Sequence, residues 1–148
     1  RPPAGRRRRG GRRLGPPLTG FRGIRAPVVL GLNMLLGTKR VYDPKEESDG
    51  RRILIDRLWP RGLSKDRAAV DLWLKEIAPS TDLRQWFHSG QDNWAEFRRR
   101  YIAELKDNEA AVGLLEQNLK EADVTLLYGA KDDRHNHAVV LAEFMRGR

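Results

Sequence analysis

The chain contains no cysteine. Disulfides, thiolate metal sites and a cysteine nucleophile are therefore excluded, and the absence fits a reducing, cytoplasmic setting. Long apolar runs are missing as well. The best candidate, "APVVLGLNMLLG", is interrupted by Gly31 and Asn33 and falls short of the roughly 18 residues that a membrane span needs, so the expectation is a soluble protein with no membrane partner. Neither a GxxxxGK phosphate loop nor a GxGxxG turn is present, and no serine elbow. No motif names a cofactor.

Acids are absent from the opening segment, which shapes the charge of the whole. Residues 1–33 hold nine arginines, no lysine and no Asp or Glu, and they account for the entire formal net charge of +9. The remainder holds as many basic as acidic residues, so the alkaline character says nothing about a folded surface. Rich in Arg, Gly and Pro and without periodicity, residues 1–33 are read as a disordered extension. Three origins are open: an upstream extension of the reading frame with Met34 as the natural start, an arm that attracts nucleic-acid phosphates, or a targeting segment. The remaining residues, 34–148, are of a length for a single domain.

From Met34 the elements are legible. "MLLGTKRVYD" reads as a first strand, closed by Asp43-Pro44 and the acidic turn "KEESDG". "RRILIDRL" reads as a second, and its unbroken run Ile53-Leu54-Ile55 predicts burial on both faces. "VTLLYGA", from Val124, repeats that character. Between these strands, Val70, Trp73, Leu74 and Ile77 recur at helical spacing up to Pro79. A short helix with Leu83, Trp86 and Phe87 follows, capped by Ser80 or Thr81; Asp92 and Asn108 open two more, and the last helix begins near Asp133. The expected fold is α/β: a small, mainly parallel sheet of about three strands with several covering helices, in which the second and third strands run parallel. Ligands in such sheets bind at the carboxyl ends of the strands.

That edge gathers charge. Asp56, Arg57, Trp59 and Arg61 follow the second strand; Tyr128 ends the third, and Lys131, Asp132, His135, Asn136 and His137 follow it into the last helix. Arginines, a lysine and a helix start predict a pocket for a small phosphate- or carboxylate-bearing ligand, with Arg57, Arg61, Lys131, His135 and Asn136 as binding residues and His137 and Asp132 as candidates for proton transfer. Asp56, Trp59 and Tyr128 are supporting: Asp56 as a tie between strand end and loop, Trp59-Pro60 as a loop anchor. Asp133 reads as a helix cap. On a helix His135 and His137 point about 200° apart, so no shared metal is expected. His137 lies on the apolar stripe and is open to either packing or chemistry, while His135 and His88 read as surface residues.

The blocks "VYDPKEESDGRRILIDRLWPRGLSK", "WLKEIAPSTDLRQWF" and "LLYGAKDDRHNHAVVLAEF" resemble the family catalogued as domain of unknown function 488, in its YeaO-like branch, over about residues 39–145. The resemblance implies a small α/β domain of a bacterial-type protein. In the wider family the loop after the last strand resembles Cys, then Lys-Asp, then Cys-His-Arg. Tyr128 and Asn136 stand here at the cysteine places and Ala138 at the arginine, while Lys131, Asp132 and His137 match. Two further classes stay open beside the ligand-binding domain, whose catalysis is undecided: a nucleic-acid-associated protein using residues 1–33 and the Arg98 to Arg100 face, and a protein-interaction module. Oligomeric state is not legible.

Overall fold

The structure, a computed structural model, describes residues 28–30, 34–90 and 93–148. Five strands form one sheet: β1 (Val28–Leu30), β2 (Met34–Arg40), β3 (Arg51–Leu54), β4 (Leu72–Trp73) and β5 (Val124–Tyr128), in the order β1-β2-β5-β3-β4. β2, β5, β3 and β4 run parallel, and β1 closes the β2 edge in antiparallel fashion. The expected parallel pairing of the second and third strands is present, with Leu54 opposite Leu127. The sheet has two more strands than the sequence reading counted. β1 lies within the segment read as an extension, and the rest of residues 1–33 lies outside the described residues.

β5 occupies the centre and is buried along its whole length, which explains its unbroken apolar spelling. Alternation sorts its side chains: Val124, Leu126 and Tyr128 join the larger core with Ile53, Ile55 and Leu36, while Leu127 joins Leu54 and Val41 on the other face. The larger core is covered by α2 (Thr81–His88), α3 (Trp94–Lys106), α4 (Glu109–Glu121) and α5 (His137–Arg146). The opposite face is covered more thinly, by the one-turn α1 (Lys65–Ala68) and by Trp59, Leu63, Val70 and Trp73. Trp59 and Trp73 meet edge to face with centroids 5.5 Å apart.

The helix predicted through Val70 and Ile77 is replaced by β4 and a 3-10 turn, Lys75–Ile77. Ala69 adopts a left-handed conformation, φ 49°, and ends α1. Asp71 then docks on the exposed edge of β3: its N–H donates to Arg52 O at 2.8 Å, and its carboxylate accepts from Arg52 N at 2.9 Å. Pairing an otherwise open strand edge outweighs helical spacing here. α2 has the expected Ser80 cap, whose Oγ accepts from Leu83 N. Asp92 lies outside the described residues, and Asn93 caps α3 instead. α5 starts at His137 rather than near Asp133, because the Asn136 side chain accepts from Val139 N and fixes the cap there.

The acidic turn proves structural. Asp49 is buried between two buried cations: Lys39 Nζ lies 3.1 Å from Asp49 Oδ1, and Arg52 Nη1 donates to Asp49 Oδ2 at 2.6 Å. Arg52 spends its remaining donors on Ala68 O and Ala69 O, and Lys39 also pairs with Glu46. Every charge in this cluster is satisfied, as burial at this depth requires.

Candidate functional site

At the carboxyl edge of the parallel strands, β3 delivers Ile55, Asp56 and Arg57, while β5 delivers Gly129 and Ala130 beside the start of α5. A pocket of about 240 Å³ opens there. Its walls are Asp56, Arg57, Leu58, Ala78, Pro79, Arg84, Phe87, His88, Phe97, Ala130, His135, Asn136 and His137. The chain has three histidines, and all three line this space.

Asp56 and His137 form its floor. Asp56 Oδ2 accepts the Gly129 N–H at 3.0 Å, and Oδ1 lies 3.0 Å from His137 Nε2. His137 Nε2 is also 3.0 Å from Ile55 O. A carbonyl can only accept, so Nε2 carries the proton and donates to Ile55 O. Asp56 Oδ1 therefore sits at ion-pair distance without an in-line hydrogen bond, sealed from solvent. Nδ1 is left as the second ring nitrogen, with no partner among the described residues.

The cations differ in their freedom. Arg57 is committed to structure, its Nη2 donating to Ala78 O at 3.1 Å and so tying the strand exit to the segment before α2. Arg84 is not so committed: its Nε is buried with no hydrogen-bond partner among the described residues. Phe87, Phe97 and His135 on the wall are joined into an aromatic ladder by Trp94 behind them. Phe87 stacks on Phe97 at 4.5 Å, Phe97 on Trp94 at 5.6 Å, and Trp94 reaches the His135 ring at 4.8 Å.

Of the residues singled out from sequence, Asp56, Arg57, His135, Asn136 and His137 come together here. Others do not. Trp59 turns to the opposite sheet face, where its Nε1 donates to Leu63 O at 2.6 Å. Arg61 is exposed and outside the pocket lining, its carbonyl accepting from the Tyr42 hydroxyl. Lys131 is exposed and likewise outside the lining. Asp132 is exposed and organises the loop instead, accepting the N–H groups of Arg134 and His135; these donors hold its carboxyl below the usual carboxylate range. Asn136 lines the pocket, but its amide is occupied by the α5 cap and by a bond to Asp132 O.

Tyr128 ends β5 in full burial with its hydroxyl unpaired. Burial, reinforced by the negative charges of Asp133 and Asp43, pushes its phenol up to about 12. Arg40 and the neighbouring Asn136 act the other way but do not offset this. Sequence reading missed Arg84 as a pocket member and took His88 for surface only. Their spacing of four on α2 was the available signal, since it places both on one helix face. It also missed Gly129: a Cβ there would stand 2.8 Å from Asp56 Oδ2, so a larger residue requires the carboxylate to shift.

No helix among the described residues is long and apolar enough to cross a membrane, and no group of three or more His, Asp or Glu among them could hold a metal. A family model described as the inactive DUF488-N3 subclade matches residues 35–148. The chain is similar to the uncharacterised protein YeaO of Escherichia coli (strain K12), 51% identical over 113 residues, or 76% of this chain and 98% of that one. It is also similar to the uncharacterised protein Rv3073c of Mycobacterium tuberculosis, 39% identical over 109 residues, or 74% and 92% of the two chains. The uncharacterised protein Mb3100c of Mycobacterium bovis matches to the same extent. No solved structure matches significantly.

Proposed function

The chain belongs to the DUF488 family, in the branch described as the inactive DUF488-N3 subclade, and on that premise we propose that it is a binding domain, holding a small anion at the strand ends without turning it over. The observation that carries this reading is the charge of the pocket. Two arginines and three histidines line it against a single carboxylate, Asp56, which is already engaged by Gly129 and His137. The Arg84 guanidinium, half-buried in the pocket wall and without a hydrogen bond or ion pair among the described residues, favours a charged acceptor there.

Binding without turnover is supported by what occupies the positions where the wider family has cysteine. Tyr128 is held neutral up to about 12 and is buried. The Asn136 amide is spent on capping α5. Neither offers a nucleophile, and the subclade's description as inactive agrees. His137 keeps an Asp partner, yet a base with no group to activate completes no catalytic set.

The nucleic-acid reading draws less support from the folded part. Arg98 pairs with Glu143, and Arg99 and Arg100 share Glu96, so most of the charge of that face is offset locally. The test of the proposal is thermal shift of the full chain against acetate, benzoate, phosphate, sulfate and nucleotides. At least one small anion raises Tm in proportion to the logarithm of its concentration, and Arg84→Gln removes the effect. An unchanged Tm with every anion contradicts it.

A further inference from the structure

The pocket also carries information about the body of its ligand. Resting on the anion-binding reading above, we infer that the ligand class is a compact arylcarboxylate: one negative charge on a flat aromatic ring, the charge taken by Arg84 and the ring laid against Phe87.

Three observations converge on this class. The first is size. A cavity of about 150 Å³ lined by apolar side chains accommodates benzene, so 240 Å³ holds an aromatic ring together with a carboxylate. A nucleotide, with ribose and phosphate added to its base, would extend from that space into solvent. The second is the wall. Phe87, Phe97 and His135 line it, and Trp94 behind them links Phe97 to His135 in a run of successive ring contacts with centroids 4.5, 5.6 and 4.8 Å apart. A flat π-system continues such a ladder by offset or edge contact, worth something beyond the area it buries. Phe87 is half-buried at the pocket side of this run, packed on the core through Phe97.

The third is the number of free donors. A phosphate or polyphosphate is gripped by several N–H groups at once, from a lysine, a glycine-rich loop or a nest of backbone amides. No lysine lines this pocket, and Arg57 is committed to carbonyls before α2. The one uncommitted guanidinium of the lining among the described residues, that of Arg84, matches a single carboxylate, which an arginine fork can hold with two parallel hydrogen bonds. Asp56 adds a selection of its own: a second negative charge on the ligand would face its carboxylate across the pocket floor.

The experiment is calorimetric titration of the full chain with benzoate, benzamide, acetate, inorganic phosphate and AMP. Benzoate binds about ten-fold or more tightly than either acetate, which lacks the ring, or benzamide, which lacks the charge. Arg84→Gln removes the preference of benzoate over benzamide, and Phe87→Ala removes its preference over acetate, with each variant checked for an unchanged far-ultraviolet spectrum. The wild-type series decides the matter even where a variant misfolds. Phosphate or AMP binding as tightly as benzoate overturns the ligand class while leaving anion binding intact. Absence of binding by all four anions, benzoate, acetate, phosphate and AMP, overturns both readings.

Discussion

Gly129 gives its N–H to Asp56 Oδ2 at 3.0 Å, and a Cβ at position 129 would lie 2.8 Å from that same oxygen. The strand end of β5 thus holds the carboxylate that in turn faces His137. Gly129→Ala is expected to push Asp56 away, break a hydrogen bond to a charged acceptor and cost about 1.5–3 kcal/mol. Urea denaturation with an unchanged m-value measures it, and anion stabilisation should fall in parallel. A neutral outcome means the carboxylate has room to move and does not depend on glycine.

On the opposite sheet face, Asp49 balances Lys39 and Arg52 in a site closed to solvent. Asp49→Ala leaves the buried Arg52 without a carboxylate and Lys39 with only the part-exposed Glu46, and should destabilise by about 3–5 kcal/mol. Exchange of Glu46, whose side chain is 43% exposed, should cost far less although it contacts the same lysine. Chemical denaturation of the two variants side by side tests the contrast.

How much of this was readable before the coordinates differs from segment to segment. The run Ile53 to Ile55 and the run from Val124 announced two strands buried on both faces, and their parallel pairing followed from the helical stretch between them. The pocket's edge was located by that argument. Its membership was legible only in part, because a sequence shows where a chain leaves a sheet and not which way it turns. After Arg57 the chain turns to the second face, drawn by the packing of Trp59 on Trp73, and Arg61 leaves with it. Arg84 and His88 arrive from a helix whose apolar side alone had been read. Val70 to Ile77 was spelled like a helix, but the open edge of β3 claimed it.

Tyr128 gives an alkaline signature. Its phenol is raised to about 12 by burial, above the ordinary tyrosine value of 10.0. The resulting contribution to stability is complete below about pH 10 and is lost as pH rises through about 12, since unfolding then releases a proton. Ultraviolet titration should leave Tyr128 protonated at about pH 11, and Tyr101 is raised in the same direction, by full burial first of all. Tyr128→Phe should delete the step near 12; persistence of that step would assign it elsewhere.

Glu96 gives the acid-side counterpart. Hydrogen bonds from Arg99 and then Arg100 hold its carboxyl down at about 2. Whatever stability it adds is present above the ordinary glutamate range and lost as pH falls toward about 2. Carboxyl carbon resonances followed by NMR should show Glu96 as a late-titrating glutamate, and a midpoint near 4.5 would mean that the two arginines do not hold it in solution.

The three histidines of the chain all line the pocket, so their imidazole Hε1 resonances report on it from three sides. Titrating the full chain with benzoate at constant pH, while following these three signals by proton–carbon NMR, tests the central claim most directly. Saturable movement of all three along one binding curve is the predicted result. Three signals that stay still while the protein remains folded, or that move without saturating, would contradict an anion seated at the strand ends.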